Sequence, residues 1–174
     1  MEISKRTILL TLRIVLTALC VLAVGFIIYN ALQPAVKSAG QSGATVSLLQ
    51  RVVACFAPNS AFVTATGEEY ERAHAVVRGI AHFAEYALLG TLGGWCYFSY
   101  TRVRKWLAVP VAGVAFLAAL DEILQKFVAG RGAQFLDVCI DLAGGYFGIG
   151  FAILTVWLGF KIVRGYRKNR EEQS

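Results

Sequence analysis

At 174 residues the chain has room for one domain, and 57% hydrophobic against 16% charged residues excludes a soluble protein with a water-facing polar coat. A net charge of +6 raises the question of a nucleic-acid partner, but the basic residues collect beside apolar segments on alternate connections, the distribution of a membrane protein. Residues 1–174 therefore read as a single all-α integral membrane domain, a bundle of four transmembrane helices.

A spanning helix needs about 20 apolar residues to cross about 30 Å of hydrocarbon. The first candidate, Ile8 to Ala31, follows Lys5 and Arg6 and is too long for a signal-peptide core of about 7–15 residues, so it reads as a retained helix. Arg13 lies inside it, where a long side chain can snorkel to the headgroups. An outer loop follows, Leu32 to Arg78, opening with a flexible stretch marked by Pro34, Gly40, Ser42 and Gly43. Leu49, Val52, Val53 and Phe56 then recur at helical spacing and predict a short interfacial helix ended by Pro58 and Asn59. Thr66 and Glu69 have the spacing of a capping box, which starts a helix that continues into the second span, Gly79 to Tyr100. A tight turn with Arg102, Arg104 and Lys105 leads to the third span, Leu107 to Val128. Arg131 occupies the next connection, and the fourth span, Asp137 to Val163, is followed by Arg164, Arg167, Lys168 and Arg170. The density of basic residues puts the Lys5, Arg104 and Arg164 ends inside, with both termini cytoplasmic. Cys20, Cys55, Cys96 and Cys139 show no C-x-x-C or metal-ligand spacing, and Trp95, Trp106 and Trp157 read as interface anchors or core.

Ionisable groups inside hydrocarbon cost about 2.5–3.5 kcal/mol each on insertion scales and are usually paired or functional. Here His82 and Glu85 lie in the second span, Asp121, Glu122 and Gln125 in the third, and Asp137 and Asp141 open the fourth. With alternating spans, His82 lies about 5 Å below the outer face, Asp141 about 6 Å, and Asp121 is reached about 21 Å up from the inner face. One depth thus serves three helices. Arg78, His82 and Tyr86 share a helix face, Asp121, Glu122 and Gln125 fall within about 100° of arc, and Asp137, Asp141, Gly144 and Gly148 share a stripe whose small residues allow close helix approach. A purely structural cluster, with Arg78 or Arg131 neutralising the acids and His82 locking helices by a hydrogen bond, is the alternative.

The run Arg78-x-x-x-His82-x-x-x-Tyr86, then Asp121-Glu122-x-x-Gln125-x-Phe127, Gly130-Arg131, and Asp137-x-x-x-Asp141-x-x-Gly144-x-x-x-Gly148 resembles the VanZ-like family over spans two to four. Arg78 stands where that family often has Lys, Ala129 where Pro commonly precedes Gly-Arg, and Asp141 where Asn is frequent, which makes this site more anionic. The resemblance implies a protein of the bacterial cytoplasmic membrane associated with resistance to glycopeptides of the teicoplanin class; it supplies no reaction.

Two functions follow from the residues. In one, the chain acts on a cell-envelope lipid or lipid-linked precursor, with His82, Glu122, Asp137 and Asp141 as candidate catalytic groups and Arg78, Tyr86, Asp121, Gln125 and Arg131 as candidate binding groups. Asp121, Glu122, Asp137 and Asp141 could also hold a divalent cation through oxygen. In the other, the chain binds or shields a lipoglycopeptide or precursor head group without turnover, which the absence of a nucleophile motif favours. Transport fits less well, since neither broken helices nor an inverted repeat is visible. Membrane lipids are the expected surroundings and nucleic acid is not an expected partner.

Overall fold

The computed structural model describes residues 4–101, 107–132 and 134–171, which form five α-helices and, among the described residues, no strand. They are α1 (Lys5–Ala31), α2 (Ala35–Ala54), α3 (Glu68–Tyr100), α4 (Ala108–Gln125) and α5 (Phe135–Glu171). By length and composition α1, α4 and α5 can each cross a membrane. Their large apolar side chains point outward, among them Ile8, Leu22, Phe26, Phe116, Phe147 and Phe151, an arrangement that only a hydrocarbon surround stabilises. The helix α3 covers the second predicted span but is less apolar, because its wall of small and polar residues faces other helices.

The heart of the fold is α3 against α5. Contacts pair Arg78 with Asp137, His82 with Asp141, and Trp95 Nε1 with Thr155 Oγ1 at 2.8 Å. The near-constant offset between partners makes the two helices parallel. Glycines set their separation: a β-carbon at Gly144 would meet the Phe83 carbonyl, and one at Gly148 would meet the Ala87 carbonyl and the Thr91 amide. The helix α1 runs antiparallel to α3, with Arg13 beside Ser99 at one end and Asn30 beside Glu85 at the other. Val114 of α4 packs where Gly145 leaves room, and Ile27, Tyr86, Leu89, Val114, Ala118 and Ile149 form the shared core.

Several expectations are corrected. The stretch from Pro34 read as flexible is the first half of α2, a 20-residue helix. Pro34 ends just before it, where a missing N–H costs nothing, and its carbonyl accepts from Lys37 and Ser38. Val46, fully buried, holds α2 to the bundle, and the predicted short helix around Leu49 is only its last turns. No capping box forms at Thr66: Gly67, with φ +59°, precedes the first turn of α3, whose acids Glu68, Glu69 and Glu71 suit the helix dipole instead. The helix then continues unbroken to Tyr100. The helix of the third predicted span, α4, ends at Gln125 rather than Val128, and α5 extends past both predicted ends of the fourth span. Arg13 is tied to the end of α3, its Nε donating to the Ser99 carbonyl at 2.9 Å and its guanidinium lying 4.9 Å from the Tyr100 ring. Arg102, Arg104, Lys105 and Trp106 lie outside the described residues.

Candidate functional site

The polar residues of α3, α4 and α5 meet at one end of the bundle. This follows from chain direction: α4 ends at Gln125, α5 begins at Phe135, and the short connection keeps Asp121, Glu122 and Gln125 beside Asp137 and Asp141. The connection turns at Gly130, whose φ of +75° suits a type II turn closed by the Arg131 amide on the Val128 carbonyl at 3.1 Å. A residue with a β-carbon would be strained there.

Four partnerships divide the cluster. Arg78 donates to Asp137 Oδ2 at 2.9 Å. His82 Nδ1 lies 3.1 Å from Asp141 Oδ1. Gln125 Nε2 donates to Asp121 Oδ2 at 2.7 Å, and the Gln134 amide donates to Glu122 Oε2 at 2.7 Å. Asp121, Glu122, Gln125, Asp137 and Asp141 are all buried. Within this cluster three buried polar atoms, the Tyr86 hydroxyl, Glu122 Oε1 and Asp141 Oδ2, have no hydrogen-bond partner among the described residues.

The four carboxylates proposed for a cation therefore do not act as one set. Asp137 is committed to Arg78 and Glu122 to the start of α5, whereas His82, Asp121 and Asp141 each offer a ligand atom, all within 4.8 Å of one another. Arg131, expected to meet an anion, instead donates to the Asn30 and Ala31 carbonyls at 3.2 and 3.3 Å and to the Ser38 hydroxyl. It thereby satisfies the last carbonyls of α1 and ties them to the start of α2. Burial pulls its guanidinium below the ordinary value, with the charge of Asp121 opposing that shift most strongly, and it remains a cation.

A cavity of about 320 Å³ opens beside this cluster between α1, α2 and α3. Arg78, His82, Glu85, Asp121, Gln125 and Arg131 line it; Tyr86, Glu122, Asp137 and Asp141 do not. Its other wall carries residues outside the candidate set. Asn30 of α1 donates to Glu85 Oε1 at 3.0 Å, and Ser38, Gln41, Ser42 and Thr45 of α2 face inward. A signal for both was present. Asn30 is a lone amide near the end of an apolar span, and Ser38, Gln41, Ser42 and Thr45 repeat at i, i+3, i+4 and i+7, a polar stripe with helical period. Ile27, Leu49, Val77 and Ile80 complete the lining, so the cavity is polar at its ionisable floor and apolar on its flanks.

No curated protein and no solved structure matches the chain. One protein-family model, VanZ/LLP1, matches residues 16–158, a stretch that includes every residue of the cluster and of the cavity. On that match, which spans well over half of its length, the chain belongs to the VanZ/LLP1 family.

Proposed function

We propose that this chain crosses the bacterial cytoplasmic membrane four times with both termini inside, and acts at the outer face on an envelope lipid or lipid-linked precursor with an anionic head group. The alternating directions of α1, α3, α4 and α5 support the four crossings, and the basic residues at the C-terminal end of α5, Lys168 and Arg170 among them, support the orientation. One observation carries the functional reading: a single cavity is shared by Arg78, His82 and Asp121 and flanked by Ile27, Leu49 and Ile80. A guanidinium beside apolar walls suits an amphiphile whose phosphate pairs with Arg78 while its chain lies among the helices. His82 and Asp121 then face the head group from the cavity wall, with the His82 ring held beside Asp141 through Nδ1.

A second reading, binding without turnover, is favoured by the partner of His82, which is a carboxylate rather than a hydroxyl or thiol nucleophile. Both readings suit a role in resistance to teicoplanin-type glycopeptides, by altering the precursor or by shielding it. The test is mass spectrometry of lipids from proteoliposomes containing the purified protein, undecaprenyl-linked precursor and MnCl2. A new lipid species made by wild type and lost in Asp121→Asn supports the catalytic reading. Precursor that stays unchanged in mass but is retained on wild type, and is released by Arg78→Gln, supports the binding reading. Neither conversion nor retention overturns both.

A further inference from the structure

The buried acids at the polar end outnumber the cations that meet them. Of Asp121, Glu122, Asp137 and Asp141, Asp137 pairs with a guanidinium, while the Arg131 contacts given above go to carbonyls and a hydroxyl. One imidazole, that of His82, is left to face Asp121 and Asp141. Burying carboxylates with so little compensation is costly, and proteins meet such a cost with a cation or a proton.

We propose that His82, Asp121 and Asp141 form a site for one divalent transition-metal ion of the Mn²⁺ or Zn²⁺ class. The spacing fits. Bonds of about 2.1 Å to nitrogen and oxygen put neighbouring ligands about 3.0 Å apart in an octahedral shell and about 3.4 Å in a tetrahedral one. His82 Nδ1 and Asp141 Oδ1 already lie 3.1 Å apart, and His82, Asp121 and Asp141 each offer one ligand atom such that all three lie within 4.8 Å of one another. An independent observation is the unpartnered buried atoms. Asp141 is 0% exposed, yet among the described residues its Oδ2 has no hydrogen-bond partner, and neither has the hydroxyl of Tyr86, also 0% exposed and one turn beyond His82. Such atoms are rare in a closed interior and suit a ligand shell, one as a second carboxylate oxygen, the other as a donor to an ion-bound water or carboxylate.

The donor set selects the ion class. One imidazole with two carboxylates is too nitrogen-rich for Ca²⁺ and lacks the thiolates that softer ions prefer, which favours borderline divalent ions, of which Mn²⁺ and Zn²⁺ are the probes. The Gln125 amide, bonded to Asp121 Oδ2 at 2.7 Å, orients that ligand from outside the shell. His82 and Asp121 line the cavity whereas Asp141 does not, so an ion enters from the cavity and is closed off behind by α5. The Arg78 guanidinium lies on the same cavity, so an anionic head group held there is within reach of the ion. The ion's occupancy does not depend on which amphiphile the cavity takes.

The test uses the full-length protein in detergent, stripped with EDTA and then dialysed against MnCl2 or ZnCl2 without lipid substrate. Retention of about one ion per chain is expected, with apparent affinity lowered about ten-fold or more in Asp121→Asn and Asp141→Asn. Glu71→Gln, which removes an exposed acid at the start of α3, should bind as wild type. Pulsed EPR of bound Mn²⁺ should show coupling to one imidazole nitrogen, kept in His74→Ala and absent in His82→Gln; the wild-type spectrum tests this even if a variant fails to fold. Wild type retaining neither metal, a Mn²⁺ spectrum without nitrogen coupling, or equal affinity in wild type and Asp141→Asn overturns the site. Because no lipid is present, those results are read separately from lipid conversion or retention.

Discussion

The ion pair between Arg78 and Asp137 ties α3 to α5 at the polar end, and its asymmetric burial makes a quantitative prediction. The nitrogen and oxygen are 2.9 Å apart, with the Asp137 side chain 8% exposed and that of Arg78 37% exposed. Removing one partner of a fully buried pair costs about 3–5 kcal/mol, whereas a fully exposed pair contributes about 0–1 kcal/mol. Asp137→Asn leaves the half-exposed guanidinium, which water can reach, so its cost should be about 1 kcal/mol. Arg78→Gln strands the buried carboxylate and should cost more, about 2–3 kcal/mol. The double variant should be more stable than the sum of the single losses implies, with a coupling of about 1–2 kcal/mol, because neither charge is then left alone. Unfolding in mixed detergent, followed by tryptophan fluorescence, measures all four proteins. A coupling of zero, or an Arg78→Gln cost no larger than that of Asp137→Asn, would refute the reasoning from burial.

Three further outcomes are expected. Gly148→Ala should lower thermal stability by about 1–3 kcal/mol, since the new β-carbon meets the backbone of Ala87 and Thr91; Gly150→Ala, with nothing within 4 Å, should be neutral or stabilising by up to about 1 kcal/mol in the same melt. Tyr86→Phe in EDTA-stripped protein should raise stability by about 1 kcal/mol, because it deletes a buried hydroxyl that has no partner among the described residues; a loss of stability in that melt would mean the hydroxyl is satisfied. Reporter fusions after residue 174 and within 101–105 should report cytoplasm, and one at Gly67 should report the outside; a cytoplasmic signal at Gly67 would overturn the outer-face assignment.

Much of this molecule was legible in the sequence where the signal is local. The apolar runs of α1, α4 and α5 announce helices suited to hydrocarbon, and the four-residue spacing of Arg78, His82 and Tyr86 puts them on one face whatever they pack against. Gly144 and Gly148 announce a close helix neighbour by the same logic, and the structure identifies it as α3. The first half of α2 escaped notice because Pro34, Gly40 and Gly43 read as breakers one at a time, while the buried Val46 and the polar stripe from Ser38 to Thr45 act only once α3 and the cavity stand beside them.

What the sequence by itself determined is therefore the four long helices α1, α3, α4 and α5, their order, and the cluster of ionisable residues shared by three of them. It could not assign partners, because an acid in a helix is equally an ion-pair member, a cap acceptor or a metal ligand until its neighbours are known. Tertiary packing made those assignments. It gave Asp137 to Arg78, Glu122 to the Gln134 amide, and Arg131 to the end of α1, and it left His82, Asp121 and Asp141 together. The physical reason is range: helical periodicity is set by neighbours three and four residues apart, whereas a hydrogen bond of about 3 Å between residues 59 apart depends on the register of two packed helices.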